Sequence, residues 1–164
     1  MRSKEKISQF TRGCALAIAL TLFLSLMVAA IGKIFYPNNL LLQLDRGVGV
    51  FEVILACLLL IFYWYWETWA GMSLVLSGFA GYSLFWLIQK LPCNCLGKLV
   101  ELPSGYTFTF DVFFFLAATA LNYFLGVGIR ALYVVLLVSA LMGVVGYFVG
   151  DWVFQTFLVT QLNT

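Results

Sequence analysis

Five long apolar runs occupy most of this 164-residue chain. An α-helix rises about 1.5 Å per residue, so about 20 apolar residues cross the roughly 30 Å hydrocarbon core of a bilayer. With 63% hydrophobic and only 10% charged residues, the chain has too few polar side chains to cover a water-soluble globule of its size. The sequence therefore predicts an all-α integral membrane protein.

The runs predict one membrane domain, residues 1–164, with five transmembrane helices. The expected spans are residues 13–35, 48–63, 70–88, 111–125 and 132–149. The first run has the basic start of a signal peptide, but it is long enough to cross the bilayer, so we expect an uncleaved span.

The segments between the runs carry signals of their own. Residues 36–47 contain Pro37 and two Asn and are expected to form a loop. WYWETW at 64–69 is typical of an interfacial aromatic belt around a short turn. Residues 104–110 alternate polar and aromatic side chains, which fits an interfacial segment or a short extended ribbon. Asp111 is expected to open the fourth span, because an acid near a helix N-terminus suits the helix dipole.

Basic residues near the first run predict the orientation of the protein. Four Lys and Arg residues lie within the first twelve positions, and cytoplasmic segments carry such an excess. We therefore expect a multi-pass protein of the bacterial inner membrane with a cytoplasmic N-terminus. Counting spans from there places the loop after the third span outside the cytoplasm, where disulfides form and persist.

That loop holds two thiols, Cys93 and Cys95, separated by one residue. A Cys-x-Cys disulfide closes a small, strained ring, and strained disulfides exchange more readily than relaxed ones. Lys90 and Lys98 flank the pair, and a nearby cation favours the reactive thiolate. The pattern indicates a redox-active pair, with an inert or structural pair and a thiolate Cu(I) site as the alternatives.

Lys33 and Glu52 are ionisable residues within the first and second runs, each about one helical turn below the expected outer boundary. An ion pair would lower the cost of placing either charge in lipid. Both residues lie on the side of the cysteine loop, so we expect them to share an outward-facing pocket with the thiols. There the carboxylate would relay protons, or the lysine would stabilise a thiolate. Snorkelling of Lys33 to the headgroups and a structural role for Glu52 are the alternatives.

Several kinds of chemistry are disfavoured by composition. The net charge of +2, without a basic patch, argues against nucleic-acid binding. The chain has no His, which removes the usual metal ligand and the usual general base, and no metal site is expected. Cys14 and Cys57 lie at different depths in apolar runs and are interpreted as small buried hydrophobic residues.

Three short motifs, taken in order, resemble those of a known family. IGK at 31–33, FE at 51–52 and PCNCLG at 92–97 are similar to the motifs of the MauE group of small redox-associated membrane proteins. That group is similar in turn to the DoxX-like four-helix bundles. The likeness covers about residues 13–125, and Asn94 and Leu96 stand where Gly and Phe are expected, with the spacing kept.

The resemblance implies a DoxX-like four-helix bundle, to which hydropathy adds a fifth transmembrane helix. It implies catalytic roles for Cys93, Cys95, Lys33 and Glu52. It also implies a thioredoxin-like partner of the MauD kind and a disulfide-rich extracytoplasmic client, the small subunit of methylamine dehydrogenase.

The leading hypothesis is a membrane thiol-disulfide redox component that assists disulfide formation in, or maturation of, an extracytoplasmic protein. It would pass electrons between a thioredoxin-like protein and the membrane pool, with a quinone as the candidate cofactor. The alternative is a non-enzymatic assembly factor or scaffold with a structural Cys pair. A small-solute or metal permease is disfavoured, because no paired inverted halves are visible.

Overall fold

The computed structural model describes residues 2–36, 42–91, 103–125 and 127–162, and the side chains of residues 9–36, 45–91, 103–125 and 127–156. Within these residues the chain is α-helical and has no strand, which confirms the predicted all-α class. The five helices are α1 (Arg2–Phe35), α2 (Leu42–Phe62), α3 (Trp66–Ile88), α4 (Ser104–Phe124) and α5 (Ile129–Leu162).

Four of these helices are long and apolar enough to cross a membrane. The qualifying stretches are Gln9–Phe35, Trp66–Ile88, Ser104–Phe124 and Ile129–Thr156. They make the chain a multi-pass membrane protein. The second helix has 21 residues, as many as α4, but it carries Asp45, Arg46 and Glu52. Five crossings are expected from the sequence, and the crossing by α2 stays a prediction.

The helices form two groups that share one apolar core. Helix α1 packs along α2, whereas α3 packs along both α4 and α5, and smaller contacts of α1 with α4 and of α2 with α3 join the groups. Buried side chains of α1 to α4 form the core, and Leu22, Leu59, Trp69 and Ala118 are typical members. The fifth helix lies outside this core and packs against α3.

Glycines allow α3 and α5 to pack backbone against backbone. A methyl group added at Gly81 would overlap the carbonyl group of Gly143, and one added at Gly146 would overlap the carbonyl group of Gly78. A methyl group at Gly150 would lie 2.9 Å from the Cβ atom of Phe85. The close approach of the two helices therefore depends on glycines of both.

The predicted start of the fourth span is wrong. Helix α4 begins at Ser104, so residues 104–110 are helical, and Asp111 lies two turns inside the helix rather than at its N-terminus. Pro103 precedes the first turn in an extended conformation, and Ser104 and Thr107 are both buried. Ser104 and Thr107 are three residues apart, as expected for residues on one face of a helix. The alternation of polar and aromatic residues in this stretch obscures that helical period.

Other helix boundaries also differ from the predicted ones. Helix α1 begins at Arg2, α2 at Leu42 and α3 at Trp66, each earlier than its expected span. Helix α5 continues to Leu162, because no Gly or Pro follows Gly150 to end it. It is about 51 Å long, which exceeds the roughly 30 Å core of a bilayer.

Two residues have environments different from those expected. Trp69 is fully buried in the bundle rather than exposed on its outer surface, and its indole Nε1 donates a 2.6 Å hydrogen bond to the carbonyl oxygen of Tyr63 across the α2–α3 turn. Cys57 is exposed rather than buried, because it lies on the outer face of α2 beside Ile54 and Leu58. Cys14 is half-buried, and neither of these two cysteines forms a disulfide.

Candidate functional site

Lys33 and Glu52 form an ion pair between α1 and α2. Lys33 lies in the last turn of α1, Glu52 lies near the middle of α2, and the lysine Nζ donates a hydrogen bond to Glu52 Oε1. The two helices follow one another and pack side by side, with the last turn of α1 beside the middle of α2, and this register brings the two side chains together. Lys33 is 9% exposed and Glu52 is 2% exposed. The pairing expected from the sequence is confirmed, whereas the catalytic roles of the two residues stay predictions.

Gly49 allows the close approach of α2 to α1 at this pair. It precedes Glu52 by three residues and therefore lies on the same face of α2. A Cβ atom added at Gly49 would lie 2.9 Å from Ile34 Cγ1, 3.1 Å from the carbonyl oxygen of Ala30 and 3.3 Å from Lys33 Cβ. A larger side chain would push the helices apart where the charges meet. Sequence reasoning missed Gly49, since a glycine within a helix reveals its role only when its neighbour is known.

The ion pair leaves part of the carboxylate unsatisfied. Glu52 Oε2 is buried and has no hydrogen-bond partner among the described residues. A buried carboxylate that has lost its water shell needs partners for both oxygens, so Oε2 retains an unused capacity to accept a hydrogen bond or a proton.

A second buried polar contact lies nearby, between α3 and α4. Ser83 Oγ and Asp111 Oδ2 are 2.8 Å apart, and Asp111 is close enough to Lys33 to interact electrostatically. Ser83 is fully buried and Asp111 is half-buried. Sequence reasoning missed Asp111 as a site residue because it was assigned to a helix terminus. An acid inside an apolar run is the signal that could have identified it.

These groups define one end of the bundle, at which α1 and α3 finish and α2 and α4 begin. We call it the Lys33 end. The end of α3 lies close to the start of α4 here. A Cβ atom added at Gly105 would lie 3.8 Å from the side chain of Leu87. Residues 92–102, which include Cys93 and Cys95, connect these two helices and lie outside the described residues. Whether the two thiols share a pocket with Lys33 and Glu52 therefore stays a prediction.

The chain leaves α3 through a defined helix cap. The Lys90 amide donates to the Leu87 carbonyl and the Leu91 amide donates to the Trp86 carbonyl, each at 3.1 Å. This is the hydrogen-bond pattern of a Schellman motif, in which the residue after the cap takes a left-handed conformation and is usually Gly. Lys90 takes that position with φ 56° and is exposed. The cap fixes the direction in which the chain enters the segment that carries the thiols.

No family model, curated protein or solved structure matches the chain. The class that the fold and the site define is therefore a multi-pass helical membrane protein with a buried Lys–Glu pair. Its likeness to the MauE group stays a resemblance carried by three short motifs.

Proposed function

We propose that this protein is a membrane thiol-disulfide redox component that assists disulfide formation in, or maturation of, an extracytoplasmic protein through Cys93 and Cys95. The observation that carries the proposal is the ion pair of Lys33 and Glu52, buried at the end of the bundle where the cysteine segment joins α3 to α4. Ionisable groups in membrane-embedded helices are costly and usually have a function.

The exchange needs only the two thiols Cys93 and Cys95 from this chain, together with a partner dithiol and an electron acceptor. In one direction, a thiolate of a thioredoxin-like partner attacks the Cys93–Cys95 disulfide and forms a mixed disulfide, which the second thiol of the partner resolves. The partner dithiol becomes a disulfide, and Cys93 and Cys95 take up its two electrons and two protons. A membrane quinone is the class of acceptor that would then take two electrons and two protons from the dithiol and become a quinol.

The buried pair would serve this exchange by its charge and as a proton relay. Lys33 carries a positive charge that favours a nearby thiolate, and Glu52 holds that charge in place within the apolar bundle. The unpartnered Glu52 Oε2 is the atom available to accept a proton. In this proposal Lys33 and Glu52 assist, whereas Cys93 and Cys95 exchange electrons.

The proposed setting is the inner membrane of a bacterium, with the N-terminus in the cytoplasm and the Cys-x-Cys loop outside it. This arrangement requires α2 to cross the bilayer, which neutralisation of Glu52 by Lys33 makes less costly. A membrane-impermeant maleimide should then label reduced Cys93 or Cys95 in cells with a permeabilised outer membrane. Labelling only after lysis of the inner membrane would contradict the orientation.

Trapping of a mixed disulfide tests the function itself. Cys95→Ser and Cys93→Ser are each prepared in a background of Cys14→Ser and Cys57→Ser, so that one thiol remains, and each is incubated with an oxidised thioredoxin-like protein. In this reverse direction the remaining thiol of the chain attacks the partner disulfide, and we expect one of the two variants to form an adduct that dithiothreitol releases, because the chain lacks the second thiol that would resolve it. The matched control is the chain with Cys57 as its sole cysteine, which should form none.

The alternative function is a non-enzymatic assembly factor with a structural Cys pair. The backbone-to-backbone contact between α3 and α5 would make this protein suitable as a rigid scaffold. Absence of an adduct with both single-thiol variants would favour this alternative over thiol-disulfide exchange.

A further inference from the structure

The contacts of Ser83 constrain the protonation state of Asp111. Ser83 Oγ lies 2.9 Å from the carbonyl oxygen of Phe79, one turn earlier in α3, and 2.8 Å from Asp111 Oδ2 in α4. A third acceptor, the carbonyl oxygen of Ala80, lies at 3.3 Å. A serine hydroxyl has one hydrogen and can donate to only one of these oxygens at full strength.

An ionised Asp111 would compete with the backbone for that hydrogen. A carboxylate is only an acceptor, so either the Phe79 carbonyl or Asp111 Oδ2 would face the serine oxygen without a proton between them. A protonated Asp111 satisfies both contacts, because its carboxyl hydrogen donates to Ser83 Oγ and the serine hydrogen donates to Phe79. Since Ser83 is fully buried, no water competes for these positions at the serine.

The charges around Asp111 lead to the same assignment. Lys33 on α1 is within electrostatic reach of Asp111, but its ammonium group is hydrogen-bonded to Glu52 on α2. The other titratable neighbours of this cluster are Asp45 on α2, which interacts electrostatically with Glu52, and Tyr82 on α3. Among the described residues, none of these neighbours supplies a second positive charge. An ionised Asp111 would therefore leave an uncompensated negative charge inside an apolar helix bundle.

We infer that Asp111 is a protonated carboxylic acid and that, with Ser83 and the Lys33–Glu52 pair, it forms a proton-binding site at the Lys33 end of the bundle. The inference goes beyond the proposed function, because it requires no thiol. Its use in that function rests on the proposal above: in each exchange the partner dithiol gives up two protons and the Cys93–Cys95 pair takes up two, and Asp111 would pass on one of them, donating its own proton to a cysteine thiolate and regaining one from the partner.

Infrared spectroscopy of the purified chain in detergent tests the assignment, because a protonated carboxyl absorbs at a carbonyl frequency that a carboxylate lacks. The chain has three aspartates, Asp45, Asp111 and Asp151, so ¹³C labelling of aspartate carboxyls separates them from the glutamates. We expect a protonated-carboxyl band at neutral pH that shifts with this label. The same band should be present when Cys93 and Cys95 are both replaced by Ser, so failure of the redox proposal would not affect this result.

Variants identify the residue that gives the band. Asp111→Asn should abolish it while the chain stays folded, because the amide can donate to Ser83 as the acid does. Asp151→Asn, on the half-buried aspartate of α5, is the matched control and should leave it unchanged. Ser83→Ala should shift the band, since the acid loses its hydrogen-bond acceptor. If Asp111→Asn does not fold, Asp111→Glu serves instead and should move the band out of the aspartate-labelled set.

The opposite results would overturn the inference. These are the absence of any label-sensitive band at neutral pH, and a band that survives Asp111→Asn or Asp111→Glu unchanged. A band that does not respond to Ser83→Ala would contradict the proposed direction of the hydrogen bond.

Discussion

Lys33 and Glu52, 19 residues apart in the chain, meet as an ion pair in which both side chains are almost completely buried. Burial removes most of the water that would otherwise solvate the two charges. Each charge therefore depends on the other, which distinguishes this contact from an exposed salt bridge that contributes little.

The first prediction concerns that mutual dependence. Lys33→Met or Glu52→Gln alone should each lower the free energy of unfolding, by about 3–5 kcal/mol for loss of the lysine, because an uncompensated charge then remains buried. Glu52→Gln leaves an unpaired lysine whose long side chain can reach the headgroups. This variant should therefore lose less free energy of unfolding than Lys33→Met. The double variant should be more stable than Lys33→Met. Denaturant unfolding in mixed micelles measures all three, and simple additivity would show that the pair is not coupled.

The second prediction tests the approach of α2 to α1. Gly49→Ala should destabilise the chain by about 1–3 kcal/mol, because the added methyl group meets Ile34 and the backbone of Ala30. Gly47→Ala is the matched control on the same helix, since nothing lies within 4 Å of its added methyl group. The control should be neutral or stabilising by up to about 1 kcal/mol, because Ala favours a helix over Gly. Equal effects of the two variants would mean that helix propensity alone determines both.

The third prediction concerns the contact of α5 with α3. Gly81→Ala should weaken or displace α5, since its methyl group would overlap the backbone of Gly143. Gly71→Ala, on the same helix with open space around it, is the control and should not lower stability. Limited proteolysis of the α4–α5 connection and thermal unfolding should both detect the difference. If Gly81→Ala is as stable and as resistant to proteolysis as Gly71→Ala, the two helices do not pack through these glycines.

The ion pair could be predicted from the sequence because its determinants are local. A short connection between α1 and α2 makes the two helices neighbours, and a charge in each apolar run then needs a partner. The expected depth of Glu52 is wrong, because α2 begins at Leu42 and Glu52 lies near its middle rather than one turn from its start. The all-α class follows equally directly from the length of the apolar runs.

The residues that were missed depend on information that the sequence encodes weakly. The sequence predicts Asp111 at a helix N-terminus, because the polar–aromatic stretch before it conceals the helical spacing of Ser104 and Thr107. The burial of Trp69 depends on a turn in which Tyr63 offers its carbonyl oxygen. Gly49 and Gly81 matter only through the neighbouring helix, so periodicity within one helix gives no indication of their importance.

The fourth prediction separates two roles of Lys90. Its left-handed conformation costs a side-chain residue roughly 1–2 kcal/mol that Gly does not incur. Lys90→Gly should therefore be more stable than Lys90→Ala by about 1 kcal/mol. Both variants remove the same charge, so both should slow alkylation of Cys93 and Cys95 equally if the lysine acts by favouring thiolate. Slower alkylation in Lys90→Ala alone would instead assign the effect to the geometry of the helix cap.

The last prediction is that Cys93 and Cys95 cycle between dithiol and disulfide, with a potential well above that of a structural disulfide. One intervening residue closes a strained ring, and Lys90 and Lys98 favour thiolate. Strained or exposed disulfides are more oxidising, whereas structural disulfides of secreted proteins lie below about −300 mV. Equilibration of the purified protein, with Cys14 and Cys57 replaced by Ser, in dithiothreitol or glutathione buffers and counting of free thiols by alkylation locates the pair on this scale. We expect full reduction well before the buffer reaches about −300 mV. A pair that stays oxidised at about −300 mV would be a structural disulfide. The redox function would then have to be abandoned in favour of the scaffold.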